Sequence, residues 1–180
     1  MQEDLSPLFQ PLTLGKHTAA NRIALQPMEG TDGTENGAPG ELTRRRYLRF
    51  AKGGAGLIWF EAVATVPEGR ASAHQLRLTE NNLDEFKRLV AHIKETGLKH
   101  NGFEPIVIMQ STNSGRYSKP TGVPDPMIAY NCPPLEDTPL DSSRILTDDQ
   151  LQRFTDAIEP AAKLARQAGV DGVDVKCCHR

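Results

Sequence analysis

The chain has 180 residues, with 21 Lys and Arg against 23 Asp and Glu, for a formal net charge of −2. It lacks the basic surplus of a nucleic-acid binder, and no apolar run nears the roughly 18–20 residues of a membrane span. The acidic start Met1-Gln2-Glu3-Asp4 is no secretory signal, and three cysteines, two of them adjacent, make no disulfide framework, so a globular, cytoplasmic chain is expected.

Residues 11–20 read as a short β-hairpin, with Leu12 and Leu14 flanking Thr13 and a turn at Gly15-Lys16. Ile23-Ala24-Leu25-Gln26, stopped by Pro27, is the first core strand. Residues 32–40 hold three glycines and a proline and form a loop. Residues 41–52 turn helical, with Leu42, Tyr47, Leu48 and Ala51 as the buried stripe and Gly53-Gly54 as the stop. Arg44-Arg45-Arg46 on this helix reads as a solvated face. Gly56-Leu57-Ile58-Trp59-Phe60 is apolar without alternation, as in a parallel strand covered on both faces.

Leu83, Phe86, Leu89, Val90 and Ile93 recur at helical spacing, and Gly97 is expected to close that helix. Residues 105–110 are a third strand, followed by a long Pro-, Asp- and Ser-rich segment to Leu146. Segments of that kind are more often functional than accidental. Thr147-Asp148-Asp149-Gln150 is a capping box opening a helix that runs to Gly169. Pro160 inside it predicts a kink, since an interior proline costs about 3 kcal/mol. Residues 170–176 are the fourth strand. Strands alternating with glycine-terminated helices predict a parallel α/β sheet with helices outside.

Polar residues collect at the C-terminal strand ends, where such sheets build ligand sites. These are Pro27-Met28-Glu29, Glu61-Ala62, Gln110, and Lys176 with His179. Other readings are weaker. Residues 52–56 follow a helix and precede a strand, the reverse of a phosphate loop. Cys177 and Cys178 point to opposite faces of an extended chain, so no metal site is read there.

The ordered set of motifs resembles the old yellow enzyme family of FMN-dependent oxidoreductases. Its members are eight-stranded (β/α)8 barrels. The motifs are Asn21-Arg22-Ile23 with Pro27-Met28; Gly53-Gly54-Ala55-Gly56-Leu57-Ile58 with Glu61-Ala62 and Gly69-Arg70; Gln110 with Ser114-Gly115-Arg116; and Ala168-Gly169-Val170-Asp171-Gly172-Val173-Asp174-Val175. They are nearest to the NADH:flavin oxidoreductase and 2,4-dienoyl-CoA reductase-like branch. The resemblance implies that residues 1–180 form a single partial domain. That domain is the N-terminal half of a TIM-type barrel, about four βα units after a hairpin, without the C-terminal half.

It further implies hydride transfer from NAD(P)H through FMN to an activated alkene, an α,β-unsaturated carbonyl. By resemblance, Pro27 and Met28 lie against the flavin, Ala62 offers its backbone, and Gln110 hydrogen-bonds the ring's polar edge. Glu29 stands where many relatives carry Cys or Thr. Lys176 and His179 take the place of the pair that binds the substrate carbonyl. The family's proton-donating Tyr falls at the position after Arg180. The partner implied is a small molecule, with neither nucleic acid nor membrane, and a homo-oligomer is compatible with it. As a truncated chain the enzyme is expected to be inactive alone; the alternative is a non-catalytic half-barrel fragment or assembly module.

Overall fold

The computed structural model describes residues 4–135 and 138–177. An antiparallel hairpin of β1 (Leu12–Leu14) and β2 (His17–Ala19) comes first, turning at Gly15 with φ +60°. Then follow β3 (Ala24–Leu25), α1 (Glu41–Lys52), β4 (Leu57–Ala64), α2 (Leu83–Asn101), β5 (Ile106–Thr112), α3 (Asp148–Asp156), α4 (Ile158–Gln167) and β6 (Gly172–Val175). Strands β3 to β6 form one sheet in sequence order, every pair parallel. Among the described residues no helix is long and apolar enough to cross a membrane.

The core lies between one face of this sheet and the helices. Ile58, Phe60, Val107 and Met109 meet Tyr47 and Ala51 of α1, Phe86, Leu89 and Ile93 of α2, and Ala165 of α4. Tyr47 stacks on Phe60 with ring centroids 4.1 Å apart. Burial of each large apolar side chain among these stabilises the fold by about 1.5–3 kcal/mol. Strand alternation then turns Leu57, Trp59, Ile106, Ile108 and Gly172 to the opposite, inner face.

Asn21 locks the start of the sheet. Its amide donates to the Gly54 carbonyl at 2.7 Å and its oxygen accepts the Gly56 amide at 2.8 Å. A Cβ on Gly56 would sit 2.6 Å from the Asn21 carbonyl, which explains the glycine.

Three expectations need correction. Leu42 is 51% exposed, and Thr43 takes the buried place because its hydroxyl bonds Asp32 Oδ1 at 2.6 Å. Gly97 does not end α2. The helix runs to Asn101 and stops at Gly102, which adopts φ +80°. Gly97 instead admits the returning chain, since a Cβ there would lie 2.5 Å from Pro105 Cδ. Pro160 divides the expected single helix into α3 and α4. They meet at Ala157, whose amide still bonds the Arg153 carbonyl at 3.1 Å and whose carbonyl accepts the Ala161 amide at 3.3 Å, so Pro160 becomes the third residue of α4. In a continuous helix its ring would collide with the Asp156 carbonyl; in a first turn its missing N–H costs nothing.

Candidate active site

Strand β4 carries one residue more than its neighbour at its C-terminal end. Phe60 pairs with Met109, yet Ala62 pairs with Gln110, so Glu61 is a bulge. The bulge reverses the alternation. Phe60 faces the helices, and Ala62 turns to the inner face beside Gln110. Gln110 pairs in turn with Asp174 of β6, and its Nε2 donates to Asp174 Oδ2 at 2.8 Å. The Gln110 side-chain oxygen is buried and has no hydrogen-bond partner among the described residues. A buried acceptor left unpaired costs about 1–3 kcal/mol unless a partner arrives. The Ala62 carbonyl accepts from Gln75 Nε2 at 3.2 Å.

Glu61 itself points between β4 and α1, with its side chain 1% exposed. Fully buried glutamates occur almost only with partners, and this one has three. Oε1 accepts from Arg46 Nη2 at 2.7 Å and from the Tyr47 hydroxyl at 3.2 Å, and Oε2 accepts the Gly30 amide at 3.0 Å. The Tyr47 hydroxyl also accepts the Glu61 amide at 2.7 Å, replacing a ladder bond. Burial and the adjacent carboxylate push the Tyr47 pKa well up. Arg46 bonds Asp32 Oδ1 at 2.9 Å as well. Burial opposes the Arg46 charge, but these two carboxylates outweigh it and raise its pKa. Arg46 is therefore no part of a solvated face, contrary to the reading of the arginine run.

The segment after β3 lies on this network. Met28 is 72% exposed, an apolar side chain at the rim. Glu29 is half-buried. Burial raises its pKa, Lys176 pulls it back in part, and Glu61 raises it further. Glu29 and Lys176 thus sense each other from the ends of the two outer strands. Lys176 continues the β6 pairing through its amide, which donates to the Ser111 carbonyl at 2.9 Å.

Residues 27–29 follow β3 and Lys176 follows β6, while Ala62 and Gln110 lie two residues inside the C-terminal ends of β4 and β5, all toward the same edge of the sheet. His179 lies outside the described residues. Sequence reasoning placed Glu61 at a strand end without giving it a role, read Tyr47 only as core and Arg46 only as surface, and gave Asp32 no part. The signal was a glutamate directly after the apolar run Leu57-Ile58-Trp59-Phe60, which needs a cation nearby.

A model of the NADH:flavin oxidoreductase / NADH oxidase family matches residues 7–179. The chain is 29% identical over 175 residues to an NADPH dehydrogenase of Geobacillus thermodenitrificans, covering 96% of this chain and 48% of that protein. It is 28% identical over 182 residues to a cinnamate reductase of Clostridium sporogenes, covering 99% of this chain and 27% of that protein. Among solved structures it resembles the old yellow enzyme homologue of Zymomonas mobilis, with a TM-score of 0.75 and 25% identity over 93% of this chain and 47% of that one. The chain spans about half the length of the NADPH dehydrogenase it matches. Its parallel sheet with outer helices is half of a (β/α)8 barrel.

Proposed function

The chain belongs to the NADH:flavin oxidoreductase / NADH oxidase family, whose cofactor is FMN, and we propose that it supplies the first half of an FMN site used to reduce activated alkenes. Bound FMN supplies two-electron chemistry, taking hydride from NAD(P)H and passing it to an alkene conjugated with a carbonyl group.

The buried, unpartnered Gln110 oxygen carries this reading. A flavin ring presents an N–H beside its carbonyls, and such a donor satisfies that oxygen. The donor set of the site fits the group in other respects too. Pro27 and Met28 offer an apolar wall at the rim, with Met28 largely exposed. Ala62 adds no side-chain bulk beside Gln110, and its carbonyl is already held by Gln75. Burial raises the Glu29 pKa, which eases its neutral form beside a ring that becomes anionic on reduction.

On the substrate side, Lys176 and His179 hold the carbonyl oxygen of the alkene. Positive charge and hydrogen-bond donors there stabilise the enolate that forms when hydride reaches the β-carbon. The cinnamate reductase relative favours an alkene conjugated with a carboxyl group, for which Lys176 is a suitable counter-charge. The proposal places the reaction in the cytoplasm, where NAD(P)H is supplied. It takes residues 1–180 as one partial domain. Among the described residues β3 and β6 each leave one edge unpaired, so a lone half-barrel is expected to hold FMN weakly.

The test is an FMN titration of the purified chain, following the flavin band and the quenching of flavin fluorescence. We expect saturable quenching with a shifted band. A titration that stays linear to millimolar FMN would overturn the reading.

A further inference from the structure

We propose that Glu61 is a positioning residue: its bulge sets which side chain of β4 faces the site, and its carboxylate clamps the rim segment that follows β3. The inference rests on the FMN reading for its functional meaning, but the clamp itself is built from contacts within the chain.

Two effects meet in this one residue. The bulge places Ala62 opposite Gln110. Were Glu61 paired regularly instead of bulged, Glu61 itself would stand opposite Gln110 and Ala62 would turn to the helix side opposite Ser111. The carboxylate then reaches across to the neighbouring strand's exit. Its Oε2 holds the Gly30 amide, and its partner Arg46 reaches Asp32 at 2.9 Å and the Met28 carbonyl at 3.4 Å. Residues 28, 30 and 32 are thereby tied to one charge pair, with Glu29 between two tied neighbours.

The fit is close. A Cβ on Gly30 would fall 2.0 Å from Arg46 Nη2, so the guanidinium lies directly over a backbone that only glycine leaves open. A buried ion pair of this kind is poor value as a stabiliser, because desolvation offsets most of its attraction. Its best use is to specify one conformation. Here that conformation sets how Met28 and Glu29 meet a bound flavin.

Glu61→Gln keeps the size of the side chain and an oxygen for the Gly30 amide, but removes the charge that holds Arg46. Amide hydrogen exchange of the cofactor-free chain, read by NMR, gives the local effect. Urea unfolding gives the global one, and FMN titration of the same samples gives the consequence for binding. We expect exchange at the Gly30 amide to quicken by about tenfold beyond the change shared by core amides of β4 and β5, with FMN binding weakened by a similar factor. Arg46→Lys leaves the carboxylate in place and is expected to show the same local loosening. It also decides the matter if Glu61→Gln does not fold. Exchange that rises equally across the chain, or does not rise at all, in whichever variant folds would overturn the positioning role. Local loosening in a chain that never binds FMN would support the clamp and count against the flavin reading instead.

Discussion

Ala62 stands opposite Gln110, and not opposite Ser111, because Glu61 adds a residue to β4 between the Phe60–Met109 and Ala62–Gln110 pairs. A small side chain is thereby set beside a buried amide that has an unused acceptor. The bulge survives because its amide finds the Tyr47 hydroxyl, and its side chain finds Arg46 and Gly30.

Tyr47→Phe removes the acceptor of the Glu61 amide and one donor to its carboxylate while keeping the stack on Phe60. Leaving a buried amide unpaired is expected to destabilise the chain by about 1–3 kcal/mol. Urea unfolding measures this, and an unchanged midpoint would show that the bulge does not depend on the phenol.

Gln110→Leu fills similar space without an acceptor. We expect FMN to bind about 5- to 30-fold more weakly, the effect of leaving a ring N–H unsatisfied. The variant also frees Asp174, so Asp174→Asn serves as the control. Only the Gln110 change should alter the flavin band if the amide contacts the ring.

Glu29→Gln tests the raised carboxyl. Between the ordinary glutamate range and the raised value, the folded chain keeps a proton that the unfolded chain has lost. Stability therefore falls as pH rises through that window. The glutamine variant has no such proton, so its urea midpoint should gain on the wild type as pH rises above the ordinary glutamate range, then run parallel once the folded-state carboxyl has also ionised. Parallel curves throughout would show that burial does not hold the carboxyl up.

Gly97→Ala places a methyl group against Pro105 and the Phe103 carbonyl. Overpacking of this kind is expected to cost about 1–3 kcal/mol, despite the better helix propensity of alanine. Pro105→Ala in the same chain should recover most of the loss. A stabilised single variant would mean that the strand entry yields easily.

The order of strands and helices was legible because glycine follows the helix before each of β4, β5 and β6 and apolar runs mark the buried strands. Gly97 misled because a glycine in a helix reads the same whether it stops the helix or admits a neighbour, and only Pro105 in space decides. Pro160 was read as a kink because its position within the turn depends on where α3 gives way. The strand-end residues Met28, Glu29, Ala62, Gln110 and Lys176 could be picked out, since a parallel sheet collects its strand ends. The bulge could not, because it exists only in relation to the pairing partner. Arg46 was hidden for a similar reason. Three arginines in a row look alike until one of them lies over Gly30.

The pairings are of unequal length: β4 and β5 share seven residue pairs, β5 and β6 four, and β3 and β4 only two. Stiffness is therefore concentrated in the middle of the sheet and fades toward both flanks. Ala62 and Gln110 sit on the rigid part, whereas Lys176 sits on a compliant wing, and Met28 and Glu29 on the other depend on the Glu61–Arg46 clamp rather than on strand pairing for their place. A ligand gripped by such a frame is located by the centre and accommodated by the sides, so substitutions at the wings should alter which molecules fit before they alter whether anything binds.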